Sequence, residues 1–102
     1  MKRRKIESYF GLARRAGKIL SGYRTCMNSI GRGRIKLIIL AEDTSQNTKD
    51  KFRSLCERYE IPFRIYGRSD DLSAMAGMSL RGVFGITDGN FAEAMIKEIE
   101  DE

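Results

Sequence analysis

Apolar residues recur along this chain at two spacings, and the switch from one to the other marks out the expected elements. Ile6, Tyr9, Phe10 and Ala13 occupy one helical stripe, which predicts a helix from about Arg3 to Ala16 with Gly17 as its stop. A short extended piece, Lys18-Ile19-Leu20, leads to Ser21 and a second helix that commits Tyr23, Cys26, Met27 and Ile30 to the core and ends at Gly33. Ile35 to Ala41 is too short for a buried helix and rich in branched residues, so it reads as an interior strand with Glu42 and Asp43 as its polar exit. Thr48, Phe52, Leu55, Cys56 and Tyr59 return to helical spacing behind the polar caps Ser45 and Asn47, and Pro62 breaks that helix. Phe63 to Tyr66 predicts a strand, and Ser69 starts a short helix carrying Leu72, Met75 and Ala76 before Gly77. Val83 to Ile86 predicts another strand. Asp88 caps a last helix with Phe91, Met95 and Ile99 inward, followed by a solvated acidic tail of Glu98, Glu100, Asp101 and Glu102.

One helix followed by four strand–helix repeats predicts an α/β layered domain with helices on both faces of a small sheet. In such folds binding surfaces gather where strand ends meet helix starts. With 102 residues, 41% of them hydrophobic, and a single proline, the chain is expected to form one domain over residues 1–102 without an internal linker or repeat. Its longest apolar run, Leu37 to Ala41, is far short of the roughly 20 residues that cross a bilayer. Met1-Lys2-Arg3-Arg4-Lys5 resembles the charged end of a signal peptide, but no apolar stretch follows it. A cytoplasmic protein without a membrane partner is expected. Cys26 and Cys56 each fall in an apolar helical stripe and lack the close partner of a zinc or redox motif, so both are assigned to the core.

Charge changes the picture. Residues 1–34 hold ten Lys or Arg (Lys2, Arg3, Arg4, Lys5, Arg14, Arg15, Lys18, Arg24, Arg32 and Arg34) against the single acid Glu7, a net of +9. Residues 35–102 hold nine bases against thirteen acids, a net of −4. A cationic third on a mildly acidic body suits a polyanion, because neutralised phosphates release counterions. The alternative is a solvated helix face with Arg14 and Arg15 placed favourably at a helix C-terminus.

Catalytic chemistry finds little support. The chain has no histidine, which removes the commonest general base and most zinc sites. Gly31-Arg32-Gly33-Arg34 follows a helix and not a strand, so it is no dinucleotide loop. Glu42-Asp43 at a strand end could hold Mg²⁺, but capping and solubility account for the pair equally well, so neither a metal nor a cofactor is expected.

Opposite its core stripe the second helix presents Arg24, Thr25 and Asn28, with Arg32 one turn further on. A cation, a hydroxyl and an amide thus gather at a helix N-terminus, where free N–H groups favour phosphate and Arg or Asn can reach purine edges. Gly22 leaves the approach free of a side chain. An ordinary amphipathic helix start would look the same.

The run from Gly22-Tyr23-Arg24-Thr25-Cys26-Met27-Asn28 through Ile35-Lys36-Leu37-Ile38-Ile39-Leu40-Ala41-Glu42-Asp43 resembles the signature of the ribosomal L-seven-Ae and L-thirty-e family. The likeness continues through Leu55-Cys56-Glu57, Ile61-Pro62-Phe63 and Asp71-Leu72-Ser73-Ala74-Met75-Ala76-Gly77, covering nearly the whole chain. Thr44 to Thr48 is most similar to the bacterial YlxQ-type branch, which sits among translation proteins. The resemblance implies a three-layer α/β/α sandwich with a small mixed four-stranded sheet, and a non-catalytic protein that grips kink-turn RNA or a related internal loop. In the family the start of the second helix reads sheared G·A pairs and a loop after the fourth helix covers an extruded base. Carried onto this chain, the first surface is Gly22, Tyr23, Arg24, Thr25, Asn28 and Arg32, and the second is Met78-Ser79-Leu80. The apolar pair in that loop would serve as a lid on a flipped base or as a plug of the core. The archaeal pattern has Asn-Glu where this chain has Arg24-Thr25, and Lys where it has Asn28.

The implied partners are structured RNA, ribosomal or of another kink-turn type, and ribosomal proteins. Two other readings stay open: a protein-interaction module of the translation machinery with little RNA contact, and a Mg²⁺-dependent receiver-like domain using Glu42 and Asp43. The latter would need a further Asp and Lys at later strand ends, and Tyr66-Gly67 and Ile86-Thr87 supply neither.

Overall fold

The computed structural model describes residues 2–101, with side chains from Lys5 to Asp101. Five helices and four strands alternate in the predicted order: α1 (Lys2–Arg15), β1 (Ile19–Ser21), α2 (Tyr23–Ile30), β2 (Leu37–Leu40), α3 (Gln46–Tyr59), β3 (Phe63–Ile65), α4 (Ser69–Met75), β4 (Val83–Ile86) and α5 (Gly89–Glu100). The strands form one mixed sheet in the order β1-β4-β2-β3. β4 runs antiparallel to both β1 and β2, with Ile86 opposite Ile19 on one side and Leu37 on the other. β2 and β3 run parallel, Ile38 opposite Phe63, as a helical crossover between them requires.

The central strands are buried on both faces, which explains why β2 is a continuous apolar run and not an alternating one. Successive side chains serve opposite layers. Leu37, Ile39, Phe84 and Ile86 pack under α1, α4 and α5 with Ile6, Phe10, Ala13, Leu72 and Met95. Ile38, Leu40 and Val83 pack under α2 and α3 with Cys26, Ile30, Phe52 and Cys56. The Phe10 and Phe84 rings meet edge to face, 5.6 Å between centroids, and lock α1 to the sheet. Gly85 lets the other layer approach: a Cβ there would come within 2.7 Å of the Ile35 Cδ1 and 3.4 Å of the Cys26 Sγ.

Several local expectations are corrected. The second helix ends at Ile30, with Gly31 as its cap and Gly33 in the following turn at φ +71°. Ser45 alone caps α3, its hydroxyl accepting from the Thr48 N–H, and Asn47 lies inside the first turn. That helix stops before Pro62, because Glu60 adopts the left-handed conformation and the Ile61 N–H closes on the Cys56 carbonyl. Tyr23 and Tyr59, assigned inward by periodicity, are exposed; the ends of a short stripe overhang the sheet. The acidic tail is not simply solvated, since Glu98 is buried and Glu100 pairs with Arg64 of β3 at 2.5 Å. Glu102 of that tail, like Met1, lies outside the described residues.

Candidate nucleic-acid interface

One end of the sheet collects the loops after β1, β2 and β3 and the loop before β4. Gly22 joins the first and last of these. Its backbone takes φ 100° and ψ 150°, a region open essentially to glycine, and its N–H donates to the Val83 carbonyl at 2.9 Å. The chain thereby turns from the sheet directly into α2. No side chain caps that helix, whereas Ser45 and Asp88 cap α3 and α5. The N–H groups of its first turn thus have no side-chain cap among the described residues and carry the partial positive charge of a helix start.

Around this terminus Arg24, Thr25 and Asn28 are exposed on α2. Tyr23 is 39% exposed and sets its ring edge-on to Phe52, with centroids 5.4 Å apart, so the aromatic is held by α3 while one side stays open. Arg32 is exposed too, but it lies two residues beyond Ile30, itself about 9 Å along the axis from Arg24 at a rise of about 1.5 Å per residue. The expected α2 surface is therefore a stripe of which Arg32 is the distant end.

The loop between α4 and β4 reaches the same place. Ser73 of α4, itself buried, holds its exit: the Ser73 hydroxyl accepts from the Arg81 N–H at 2.8 Å and donates to the Arg81 carbonyl at 3.0 Å. At its root Arg14 of α1 donates through Nη1 to the carbonyls of Ala76 and Gly77, at 2.7 and 2.5 Å. Between these anchors Met78 tucks half-buried against the α1 layer, Ser79 is exposed, and Leu80 stands 67% exposed. The apolar pair thus divides: Met78 turns toward the core and Leu80 toward solvent.

Arg81 was missed by sequence reasoning. A Cβ on Gly22 would lie 3.7 Å from the Arg81 Nε, so this side chain runs alongside the open start of α2, with its Nη1 donating to the Leu80 carbonyl at 3.1 Å. Its one sequence signal was a basic residue next to an exposed apolar one.

The acidic pair after β2 is taken up by structure. Both Asp43 oxygens accept from Ser69, one from its N–H at 2.8 Å and one from its hydroxyl at 2.6 Å. These bonds, with Arg68 nearby, hold the Asp43 carboxyl below its ordinary range. The Glu42 backbone carbonyl accepts from Lys49 at 2.6 Å. Among the described residues no three His, Cys, Asp or Glu side chains gather as a metal site. Burial pushes the Cys26 thiol up to about 12 and the Cys56 thiol up to about 11, so both stay protonated and unreactive in the core. No helix among the described residues is long and apolar enough to cross a membrane.

Comparison with known proteins places this geometry in a family. The model of the ribosomal protein L7Ae/L30e/S12e/Gadd45 family matches residues 4–96. The RNA-binding protein YlxQ of Enterococcus faecium is 35% identical over 99 residues, covering 96% of this chain and 94% of its own length. Large ribosomal subunit protein eL8 of Thermoplasma volcanium is 32% identical over 95 residues, covering 92% of this chain and 75% of its own. Among solved structures, a Bacillus halodurans C protein of unknown function superposes with a TM-score of 0.91 at 31% identity, over 94% of this chain and 97% of that one. The Giardia lamblia 15.5kD RNA binding protein shares the fold, with a TM-score of 0.80 at 18% identity over 98% of this chain and 88% of that one.

Proposed function

The chain belongs to the ribosomal protein L7Ae/L30e/S12e/Gadd45 family, and from that premise we propose that it binds structured RNA, a kink-turn or similar internal loop, as a cytoplasmic protein of the ribosome or translation machinery. Its relatives carry the names of RNA-binding and ribosomal proteins, which agrees with the non-catalytic protein that the sequence led us to expect. The observation that carries the reading is the meeting of two distant segments at Gly22. The uncapped start of α2, with Arg24, Thr25 and Asn28 exposed, faces a rigidly anchored loop that offers Leu80 and Arg81.

Each part has a chemical task in this mode. The first-turn N–H groups of α2 and Arg81 take backbone phosphates. Arg24 reaches a guanine edge in a groove opened by the internal loop, and Thr25 and Asn28 add neutral donors and acceptors beside it. Leu80 covers a base turned out of the stack, the apolar contact that unpaired RNA offers and a plain duplex does not.

The test compares wild type and Arg24→Ala on a kink-turn RNA and on a plain duplex of the same length over a salt series. Wild type is expected to prefer the kink-turn, and losing a bidentate contact should cost about 1–3 kcal/mol. Equal affinity for the two RNAs sinks kink-turn recognition. Absence of binding at low salt sinks RNA altogether.

A further inference from the structure

Among the described residues, the cations of the N-terminal third do not form one patch. Arg24 and Arg32 belong to the α2 layer, whereas Arg14 and Arg15 project from α1 in the layer on the opposite face of the sheet. There, a groove of about 440 Å³ runs between α1 and α4, lined by Gly11, Arg14, Arg15 and the segment from Ala74 to Gly77. Both its charged side chains are guanidinium groups, and no acid lines it. Asp70 and Asp71 occupy the first turn of α4, one turn from Ala74 and Met75, and neither lines the groove.

The two arginines differ in what the fold asks of them. Arg14 commits Nη1 to the Ala76 and Gly77 carbonyls, which accounts for its presence as a cap of α4. The Arg15 side chain makes no hydrogen bond or ion pair among the described residues. Its Nη1 lies 3.8 Å from where a Gly11 Cβ would stand, folded along α1 into the groove. Two guanidiniums lining one groove repel each other, and an anion held between them is attracted to both. The groove is also continuous with the RNA loop. Gly77 forms its rim, and Leu80 is three residues on, within about 11 Å of extended chain.

We propose that this groove is a second RNA site, taking the phosphodiester backbone of the strand that passes the Leu80 loop, with Arg15 as its principal phosphate contact. The proposal rests on the RNA-binding reading above. It makes the α4–β4 loop the ridge between two contact surfaces: base capture at Leu80 and backbone capture behind it.

The experiment measures affinity of wild type, Arg15→Gln, Arg15→Lys and Arg24→Ala for a kink-turn hairpin RNA over a potassium chloride series. Removing one phosphate contact should lower the slope of log affinity against log salt by about 0.7–0.9, so that between about 50 and about 200 mM salt the Arg15→Gln variant loses about threefold less affinity than wild type. Arg15→Lys should restore the slope. The thermal midpoint of Arg15→Lys, which keeps the cation in the last turn of α1, should equal that of wild type, and Arg15→Gln should lose only the small contribution of that end charge. An unchanged slope in Arg15→Gln while Arg24→Ala binds weakly overturns the groove and leaves the α2 site standing. A wild type that binds no RNA removes both. Binding of wild type to anionic phosphatidylglycerol vesicles that is lost in Arg15→Gln, with RNA affinity intact, assigns the groove to a membrane surface and overturns the RNA proposal.

Discussion

At Gly22, φ of 100° with ψ of 150° admits no ordinary side chain, while the nearest atoms to a Cβ placed there, on Arg81, stand at an unstrained 3.7 Å. The obstacle is thus backbone conformation and not crowding. Gly22→Ala should lower stability by about 1–3 kcal/mol and weaken RNA binding further, because relieving the strain swings the start of α2 away from Leu80. Chemical denaturation and RNA titration of the one variant check both halves; unchanged values would make the turn unimportant. The glycine was legible as an open approach to a helix, since it precedes an apolar stripe. Arg81 was not, because its place beside Gly22 depends on pairing between β1 and β4, whose residues are far apart in sequence. Tyr23 failed for a related reason: periodicity assigns a side chain to a stripe but cannot tell where the sheet beneath it ends.

Among the elements, α4 depends most on residues outside itself. Seven residues are too few for a helix to persist alone, and both its ends are held by distant side chains, Asp43 at the start and Arg14 at the finish. Because the Ser69 hydroxyl and N–H hold the Asp43 carboxyl below its ordinary value, the ionised form stabilises the fold. That contribution is fully present above the unfolded value of about 3.9 and is lost as pH falls through the lower folded value. Wild type should therefore melt above Asp43→Ala at neutral pH, and the gap should close in strongly acidic buffer. A gap that persists unchanged to low pH would show that charge has no part in it. The clamp matters for function because α4 carries Ser73 and the root of the Leu80 loop. Sequence spacing predicted this helix and its apolar side, but the pair Glu42-Asp43 read equally as a cap or a cation site, since which residue an Asp reaches is a long-range fact.

On the scale of the whole molecule, the sheet separates two chemistries. Behind it lie α1, α4 and α5; in front lie α2 and α3 with both cysteines beneath them. Cys26 and Cys56 have their thiols raised to about 12 and about 11 by burial, so a thiol reagent at about pH 8, close to the ordinary thiol value, should leave the native protein unlabelled. Labelling of both should appear together along a denaturant series and track loss of the fold. Early labelling of one thiol alone would show that α2 or α3 opens independently, which would make the proposed RNA surface a mobile one.

Local pattern determined the order of elements, the buried identity of β2, the place of β4, the helix starts near Ser45 and at Asp88, the core placement of the cysteines and the exposure of Arg24, Thr25 and Asn28 on α2. These follow from side-chain period, turn chemistry and burial of apolar groups, all of which act over a few residues. Tertiary structure alone decided that the described cations of the N-terminal third are split between opposite faces, that Arg14 is a cap while the Arg15 side chain has no partner among the described residues, that Met78 turns inward while Leu80 turns out, and that Arg81 joins Gly22. Net charge has no direction until the sheet assigns each helix a face, and a loop has no inside until distant residues anchor its two ends.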